Sequence, residues 1–425
     1  NTMDNSVTTT HTGSNVWTCV VTTHDNDADG AMTFSVAYTD SAGNAGTAET
    51  TVDDSSAVTI DNTHPTLTNI AMTTSGNSGY AKSGDTVTLT ITVSESVTSL
   101  ACTIDGEAAT MGGSGTSWTA ALTASGDETA GSATFSCGSH VDAAGNTGAA
   151  DTTADSGAVT FDFVVPTLGT VGIATAGTGN ANNGDDVTLT FTASETIQTP
   201  TCTMKDGGGN TMDNSVTTTH TGSNVWTCVV STHDNDADGA MSFSIAFSDS
   251  AGNAGVADTT VDDSSTVTID NAHPTLSSVS IATAGTGNAN NGDDITLSFT
   301  ASEGIQTPTC TIKDGGGNTM DNTVAVTEGS SNAWTCVVDT HDNDADGAMT
   351  FSIAFTDDAG NAGTADTSVD DGSSVTIDNT HPTLGTVGIA TAGSGNANDG
   401  DDVTLTFTGS ETIQTPTCTM KDGGG

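Results

Sequence analysis

Pro65, Pro166, Pro274 and Pro382 each open a Pro-Thr-Leu segment, and their spacings are 101, 108 and 108 residues. A period of that length makes the chain a series of like domains, each packing mainly against its neighbours. Residues 166–209 and 382–425 differ only at Thr178/Ser394, Asn183/Asp399 and Ala193/Gly409, and residues 1–30 and 210–239 only at Thr22/Ser231. Inside the chain, Lys205-Asp-Gly-Gly-Gly runs directly into Asn210-Thr-Met-Asp, and these same motifs stand at Lys421–Gly425 and Asn1–Asp4. The expected division is therefore 1–62 as the C-terminal part of a split repeat, 63–163 as a short repeat, 164–271 and 272–379 as full repeats, and 380–425 as the N-terminal part of a repeat completed by the next copy. Two readings account for the cut: one period of a longer array, or separate copies that complete each other head to tail. The first is the expected one; an intact-mass measurement separates them, because a native polypeptide of 42.0 kDa would support the second and sink the first.

Within a repeat the apolar residues alternate. Val187, Leu189, Phe191 and Ala193 face one way and Thr188, Thr190 and Thr192 the other; Trp226, Cys228 and Val230, then Phe243, Ile245 and Phe247, then Val267 and Ile269 continue the pattern. Period-2 runs separated by Gly/Asn/Asp clusters are half-buried strands, and no window offers an amphipathic helix. About seven short strands per repeat, one of them carrying Trp-x-Cys, predict an all-β tandem array of immunoglobulin-like β-sandwiches, joined like beads on a string.

The cysteines follow the same period. Cys202 and Cys228 share one repeat, and Cys310 and Cys336 the next. In the short repeat Cys102 aligns with Cys202, but Trp118-Thr-Ala replaces Trp-Thr-Cys, and Cys137 falls where Ile245 sits on the next core strand. The bridge is expected to move to that neighbouring strand. Cys19 and Cys418 belong to the two halves of the cut repeat and pair only across the chain boundary. A disulfide in each repeat implies an oxidising, extracellular or cell-surface location. One cysteine pair per domain without clustered His does not complete a zinc site.

The charge balance removes other functions. The chain has 53 Asp plus Glu against four Lys and no Arg, for a formal charge of −49. Such a surface cannot neutralise nucleic-acid phosphates or form a polybasic membrane anchor, and no apolar run approaches the ~20 residues of a membrane span. Only eight of the acids are Glu, so most are the carboxylate suited to turns and metal loops.

These acids recur in two patterns. The first is Asp25-Asn-Asp27-Ala-Asp29-Gly30, repeated as Asp234, Asp236, Asp238 and as Asp342, Asp344, Asp346. Acids at positions 1, 3 and 5 with Gly at 6 wrap oxygen ligands around Ca²⁺. Position 12, however, is Val36, Ile245 or Ile353 in place of a bidentate Glu. Either Ca²⁺ draws further ligands from elsewhere, or the loop is a hairpin using Asp-Gly turn chemistry. The short repeat lacks the motif. The second pattern gathers near domain ends: Asp61-Asn62, Asp270-Asn271 and Asp378-Asn379 in the linkers; Asp40/Asn44, Asp142/Asn146, Asp249/Asn253 and Asp357/Asn361 in Asp-x-Ala-Gly-Asn loops; and Glu95, Glu195, Glu303 and Glu411 after Ser at strand ends. Loops this close to a short linker either share a cation that stiffens the joint or serve as solvated turns.

The Ser-Glu, the Asp-x-Ala-Gly-Asn loop and the Asp-Asn-x-His-Pro-Thr linker resemble bacterial Ig-like repeats of very large secreted adhesins and surface fibres. That resemblance implies a stalk rigidified by Ca²⁺ and partnered by further copies of the repeat, by neighbouring fibres, or by a receptor at a tip outside this sequence. It does not carry ion positions across, because the core disulfide and the three-Asp loop are departures from that pattern.

Catalysis has no support. His24, His233 and His341 precede the Asp loops, and His64, His273 and His381 precede linker prolines, so the same His recurs beside turns without a nucleophile and an orienting acid. Lys205, Lys313 and Lys421 end strands where no isopeptide partner is expected, and the Thr-rich outer faces allow O-linked sugar. The expected function is a non-enzymatic extracellular fibre or adhesin stalk, with a multi-chain filament as the alternative and a carbohydrate-binding module third. Trp17, Trp118, Trp226 and Trp334 lie on core strands and offer no sugar platform.

Overall fold

The computed structural model describes residues 3, 5–177, 179–284, 288–393 and 395–424. Three separate apolar cores fall within 63–163, 164–271 and 272–379. In 164–271 one layer is a four-stranded antiparallel sheet in which Leu168–Thr175, Asp186–Ala193, Val225–Ser231 and Thr217–Gly222 lie side by side. The facing layer pairs Thr201–Lys205 with Ser242–Ala246. A third small sheet closes the end: Thr268–Ile269 pairs parallel with Asn180–Ala181 and antiparallel with Gly239–Ala240.

The alternation read from sequence is the burial pattern observed. Val187, Leu189, Phe191 and Ala193 are buried, while the threonines between them face outward. Phe191 stands opposite Trp226 and Leu189 opposite Cys228 on the neighbouring strand, so the largest side chains of one layer stack in register. The outer face of that sheet carries small neutral residues, with Thr190 beside Thr227 and Thr227 beside Thr219. The repeat 272–379 repeats this arrangement strand for strand. The molecule is all-β, a tandem array of Ig-like sandwiches with a disulfide in each complete repeat. Among the described residues, no helix is long and apolar enough to cross a membrane.

Two expectations need correction. A complete 108-residue repeat has nine strands instead of about seven, because two-residue pairs such as Gly239–Ala240 close the sandwich without any alternating run to announce them. In the short repeat Trp118 is only half-buried at the edge of the core, its indole N–H donating to the Gly115 carbonyl at 3.0 Å. There the strands Thr86–Ser99 and Thr110–Thr123 extend to 14 residues each.

The cysteine pairs divide by layer. Cys202–Cys228 and Cys310–Cys336 join the two layers, with Cα atoms 6.4 Å apart. Cys102–Cys137 instead joins two directly paired strands of one layer, with Cα atoms 4.0 Å apart. The position of Cys137 is that of Ile245, which stands opposite Cys202 in the next repeat. Cys19 and Cys418 are free and exposed.

A candidate cation site at each joint

The linkers bring three carboxylates together at every complete joint. Asp61, Glu95 and Asp142 form one group, Asp162, Glu195 and Asp249 the next, and Asp270, Glu303 and Asp357 the third; in each, one oxygen per residue lies within 4.8 Å of the others. The first member sits directly after the closing strand of the preceding repeat. The other two belong to the following repeat, so each group straddles a joint.

Each member is positioned by a different device. The linker Asp continues a short parallel pairing: the amide of Asp162 donates to the Ala81 carbonyl and that of Asp270 to the Ala181 carbonyl. The loop Asp is the most buried of the three, with Asp249 and Asp357 each 1% exposed. Its Oδ1 accepts from the Asn253 or Asn361 backbone amide, and its Oδ2 from the same asparagine's side chain. That asparagine then reaches back across the joint. Asn146, Asn253 and Asn361 donate Nδ2–H to the backbone carbonyls of Asp61, Asp162 and Asp270 at 2.7–2.9 Å. Where the linker contains His, its ring adds a second tie, His64 Nδ1 to the Thr147 carbonyl and His273 Nδ1 to the Ala362 carbonyl, each at 2.9 Å.

The glutamate is the member without a partner. One carboxylate oxygen of Glu95 and one of Glu195 are buried with no hydrogen bond. Burial pushes the pKa of Glu95, Glu195 and Glu303 upward, and the neighbouring aspartates push it further. Burial likewise raises Asp270. Asp142 moves down: burial opposes ionisation, but hydrogen bonds from the Asn146 side chain and backbone outweigh it. Two carboxylates about 4 Å apart repel by roughly 4 kcal/mol in surroundings of intermediate dielectric. A chain with four lysines and no arginine has few bases to relieve this. An all-oxygen set of three carboxylates is the donor chemistry of a hard divalent cation such as Ca²⁺.

The three-Asp loops are built differently. Among the described residues Asp25, Asp27 and Asp29, Asp234, Asp236 and Asp238, and Asp342, Asp344 and Asp346 are not gathered as the joint acids are. The middle acid turns inward: Asp236 accepts from the amides of His233 at 2.7 Å and Asp213 at 3.1 Å, and Asp27 and Asp344 accept from His24 and His341. Asp234 lies 2.8 Å from the His233 ring. The third acid holds the linker, since Asp29, Asp238 and Asp346 accept the amides of Asn62, Asn271 and Asn379. Asn62 and its counterparts return Nδ2–H bonds to the loop carbonyls of Asp27, Asp236 and Asp344. Asn62 thus belongs to this clamp, one residue beyond the cation group.

Three positions were missed in the sequence reading. Asp162 was overlooked because its linker, Phe163-Val164-Val165, lacks the Asn-x-His of the others; its place four residues before Pro166, as Asp61 stands before Pro65, was the available signal. Asp206 and Asp314 are buried and accept from the Ala237 and Ala345 amides, pinning the Gly-Gly-Gly turn to the Asp loop. Glu128 replaces the middle Asp in the short repeat, where it accepts from the Ser125 and Gly126 amides. Aligning Gly131 with Gly239 would have shown it. Asp378 and Glu411 lie at the fourth linker, where one Glu411 oxygen is buried without a partner; Asp40 lies in the opposite half repeat with Asn44 donating to it.

No protein-family model matches the chain, and no curated protein matches it. Among solved structures, the I9–I11 tandem of titin aligns with 70% of this chain and 94% of its own length, at 11% identity and a TM-score of 0.27. A tetra-tandem repeat from the extending region of a large adhesion protein aligns over 83% and 82% at 19% identity and a TM-score of 0.27. A marsupial T cell receptor aligns over 71% and 100% at 11% identity and a TM-score of 0.29. The sandwich assignment rests on the strand pairing and the three cores.

Proposed function

We propose that the chain is a non-enzymatic extracellular fibre segment, of the adhesin-stalk kind, whose joints are stiffened by Ca²⁺. The observation that carries this reading is the acid group recurring at three successive joints, each time with carboxylates drawn from both sides of the linker. A cation there ties the linker Asp of one repeat to the Glu and Asp of the next, and so opposes bending. The buried glutamate oxygens of Glu95 and Glu195 gain the partner they otherwise lack. Disulfides in the sandwiches support an oxidising location. Asp61, Glu95, Asp142, Asp162, Glu195, Asp249, Asp270, Glu303 and Asp357 are the assigned ligands, and Asn146, Asn253 and Asn361 position them.

Calcium titration of the oxidised 425-residue chain, followed by calorimetry and small-angle X-ray scattering, tests this. The expected result is three binding events in the range typical of extracellular modules, ~10⁻⁴–10⁻³ M. Maximum dimension should grow and the melting temperature rise by several degrees, both reversed by chelator. Glu195→Gln should remove one event and loosen one joint. Absence of binding at millimolar Ca²⁺, with no change in shape or melting, would overturn the reading.

A further inference from the structure

We propose that the segment just before each closing strand is a plug seated on a latent docking edge, and that this edge, once unplugged, takes the same strand of a second copy of this chain. This goes beyond a calcium-stiffened joint. It concerns the flank of each sandwich and does not depend on the acid groups at the linkers.

The edge is the first strand of each complete repeat. Leu67–Thr74, Leu168–Thr175 and Leu276–Thr283 pair along one side with Thr86–Ser99, Asp186–Ala193 and Asp294–Ala301. All three are eight residues long and contain no charged residue and no proline, in a chain whose formal charge is −49. An uncharged strand of that length with one bare side is a template for pairing with another chain. The same strand of a second copy fits it best, antiparallel across a two-fold axis, because each edge then offers the other the groups it lacks.

The other side of each edge is occupied by a short piece of the same repeat. Asp262 Oδ2 accepts the Val171 amide at 2.8 Å, and the Asp262 amide donates to the Val171 carbonyl at 2.8 Å. Two residues along, the Ile173 amide donates to Ser265 Oγ at 2.8 Å. The repeat 272–379 has the same bonds, with Asp370 on Val279 and Ser373 on Ile281 at 2.8–2.9 Å. These side chains imitate the carbonyls of a neighbouring strand. A residue with positive φ, Ser264 or Gly372, interrupts the segment between them, so it does not run on as a strand of its own.

The short repeat covers the same two amides by another route. Asp155 holds Ile70 in both directions, at 2.7 and 2.8 Å, but the Met72 amide donates to the Ser156 carbonyl at 2.9 Å. Gly157 then lies so close that a Cβ there would collide with the Met72 carbonyl. What the repeats share is the covering, whichever atoms supply it. In the longer repeats the plug also brings charge to the edge. Asp263 stands over Gly172, where a Cβ would collide with its carboxylate. Hydrogen bonds from Ser265 and Ser373 hold the pKa of Asp263 and Asp371 below the usual aspartate range. Two like edges brought together would set these carboxylates against each other.

The test compares the oxidised 425-residue chain with the double variant Asp370→Ala with Ser373→Ala, both in chelator. Hydrogen exchange of a peptide spanning 276–283 is followed by mass spectrometry over a concentration series, beside sedimentation velocity. In dilute solution the Val279 and Ile281 amides should exchange about tenfold faster in the variant. As concentration rises they should slow again, while dimers grow beyond any formed by the unmodified chain. Unchanged exchange across 294–301 reports an intact sandwich; should the pair unfold it, Asp370→Ala alone, which leaves Ser373 on Ile281, carries the test. Gly157→Ala should act in the same way on 67–74. Fast exchange at every concentration would show that the bare edge docks nothing. Slow exchange in the dilute variant would show that the segment is not what covers it, and association without protection of 276–283 would place the contact elsewhere. Each of these overturns the proposal.

Discussion

The repeat 63–163 and its neighbour 164–271 share a sandwich but fasten it differently. In the longer repeat the disulfide crosses between layers, whereas in the shorter it lies within one layer, on two strands that are already hydrogen-bonded neighbours. The longer repeat buries Trp226 in the same core as that bridge; the shorter leaves Trp118 half-exposed and puts Ala120 where Cys228 stands. The outgoing linkers differ in parallel. Asp238 and Asn271 clamp linker to loop in the longer repeat, while Ala130 and Phe163 occupy those positions in the shorter, and Phe163 stacks on Phe161 at 5.9 Å. The buried acid of the loop survives in both, as Asp236 or Glu128. What is common to both repeats is the turn; what differs is how firmly layers and joints are held.

The largest expected difference lies in the response to reduction. Chain-entropy arguments give each bridge about 3.5 kcal/mol, nearly the same for loops of 26 and 35 residues. Stability therefore should not separate the repeats, but length under force should. Stretched singly, a reduced short repeat should extend by about 120 Å more than its oxidised form, and a long repeat by about 90 Å more, at ~3.5 Å per residue. Equal increments would mean that the bridges enclose the same strands. Pairing Cys228→Ala with Ile245→Cys should move the long repeat's bridge onto Cys202 and the 245 position, within one layer as in the short repeat, and raise its increment from about 90 Å to about 150 Å, above that of the short repeat.

A smaller effect is expected at the joints. Asn271→Ala removes two hydrogen bonds, from its Nδ2 to the His233 and Asp236 carbonyls, that tie the linker to the Asp loop, and should cost about 1–2 kcal/mol and loosen that joint. The reverse exchange, Ala130→Asp with Phe163→Asn, should install a clamp at the 162–165 linker. Residual dipolar couplings across each joint would then report a narrower spread of orientations; an unchanged spread would show that the cation group alone sets the angle.

The smallest effect is acid-linked. Burial resists ionisation of Glu128, but hydrogen bonds from Ser125 and Gly126 prevail and hold its pKa below the usual glutamate range. A depressed pKa stabilises the fold above about pH 4.5, and that contribution is lost as pH falls through the folded value. Acid titration of the short repeat should therefore show a loss below pH 4.5 that Glu128→Gln flattens. An identical curve for the variant would assign the loss to other acids.

Strand identity was legible in the sequence because Val187 to Ala193 alternate without a break, and cysteine order revealed even the moved bridge through the alignment of Cys137 with Ile245. The closing strands were not, since Gly239–Ala240 pairs through backbone alone and two residues carry no period. The joint acids could be listed, yet their meeting depends on how one sandwich seats on the next. The three-Asp loop shows a related effect: its alternate acids suggest one ion, while the second and third side chains turn toward different backbone donors, Asp236 to the His233 amide and Asp238 to the Asn271 amide. Composition records which residues are present, whereas the direction of a short side chain is set by the turn beneath it.

The asparagine that crosses each joint binds a carbonyl, and a carbonyl is present whatever residue follows. Asn253 reaches Asp162 through Phe163-Val164-Val165 as readily as Asn361 reaches Asp270 through Asn271-Ala-His. All that a repeat must offer its successor is one aspartate four positions before the proline. Units meeting that rule are interchangeable, so recombination can lengthen, shorten or reorder such an array without any joint having to be redesigned.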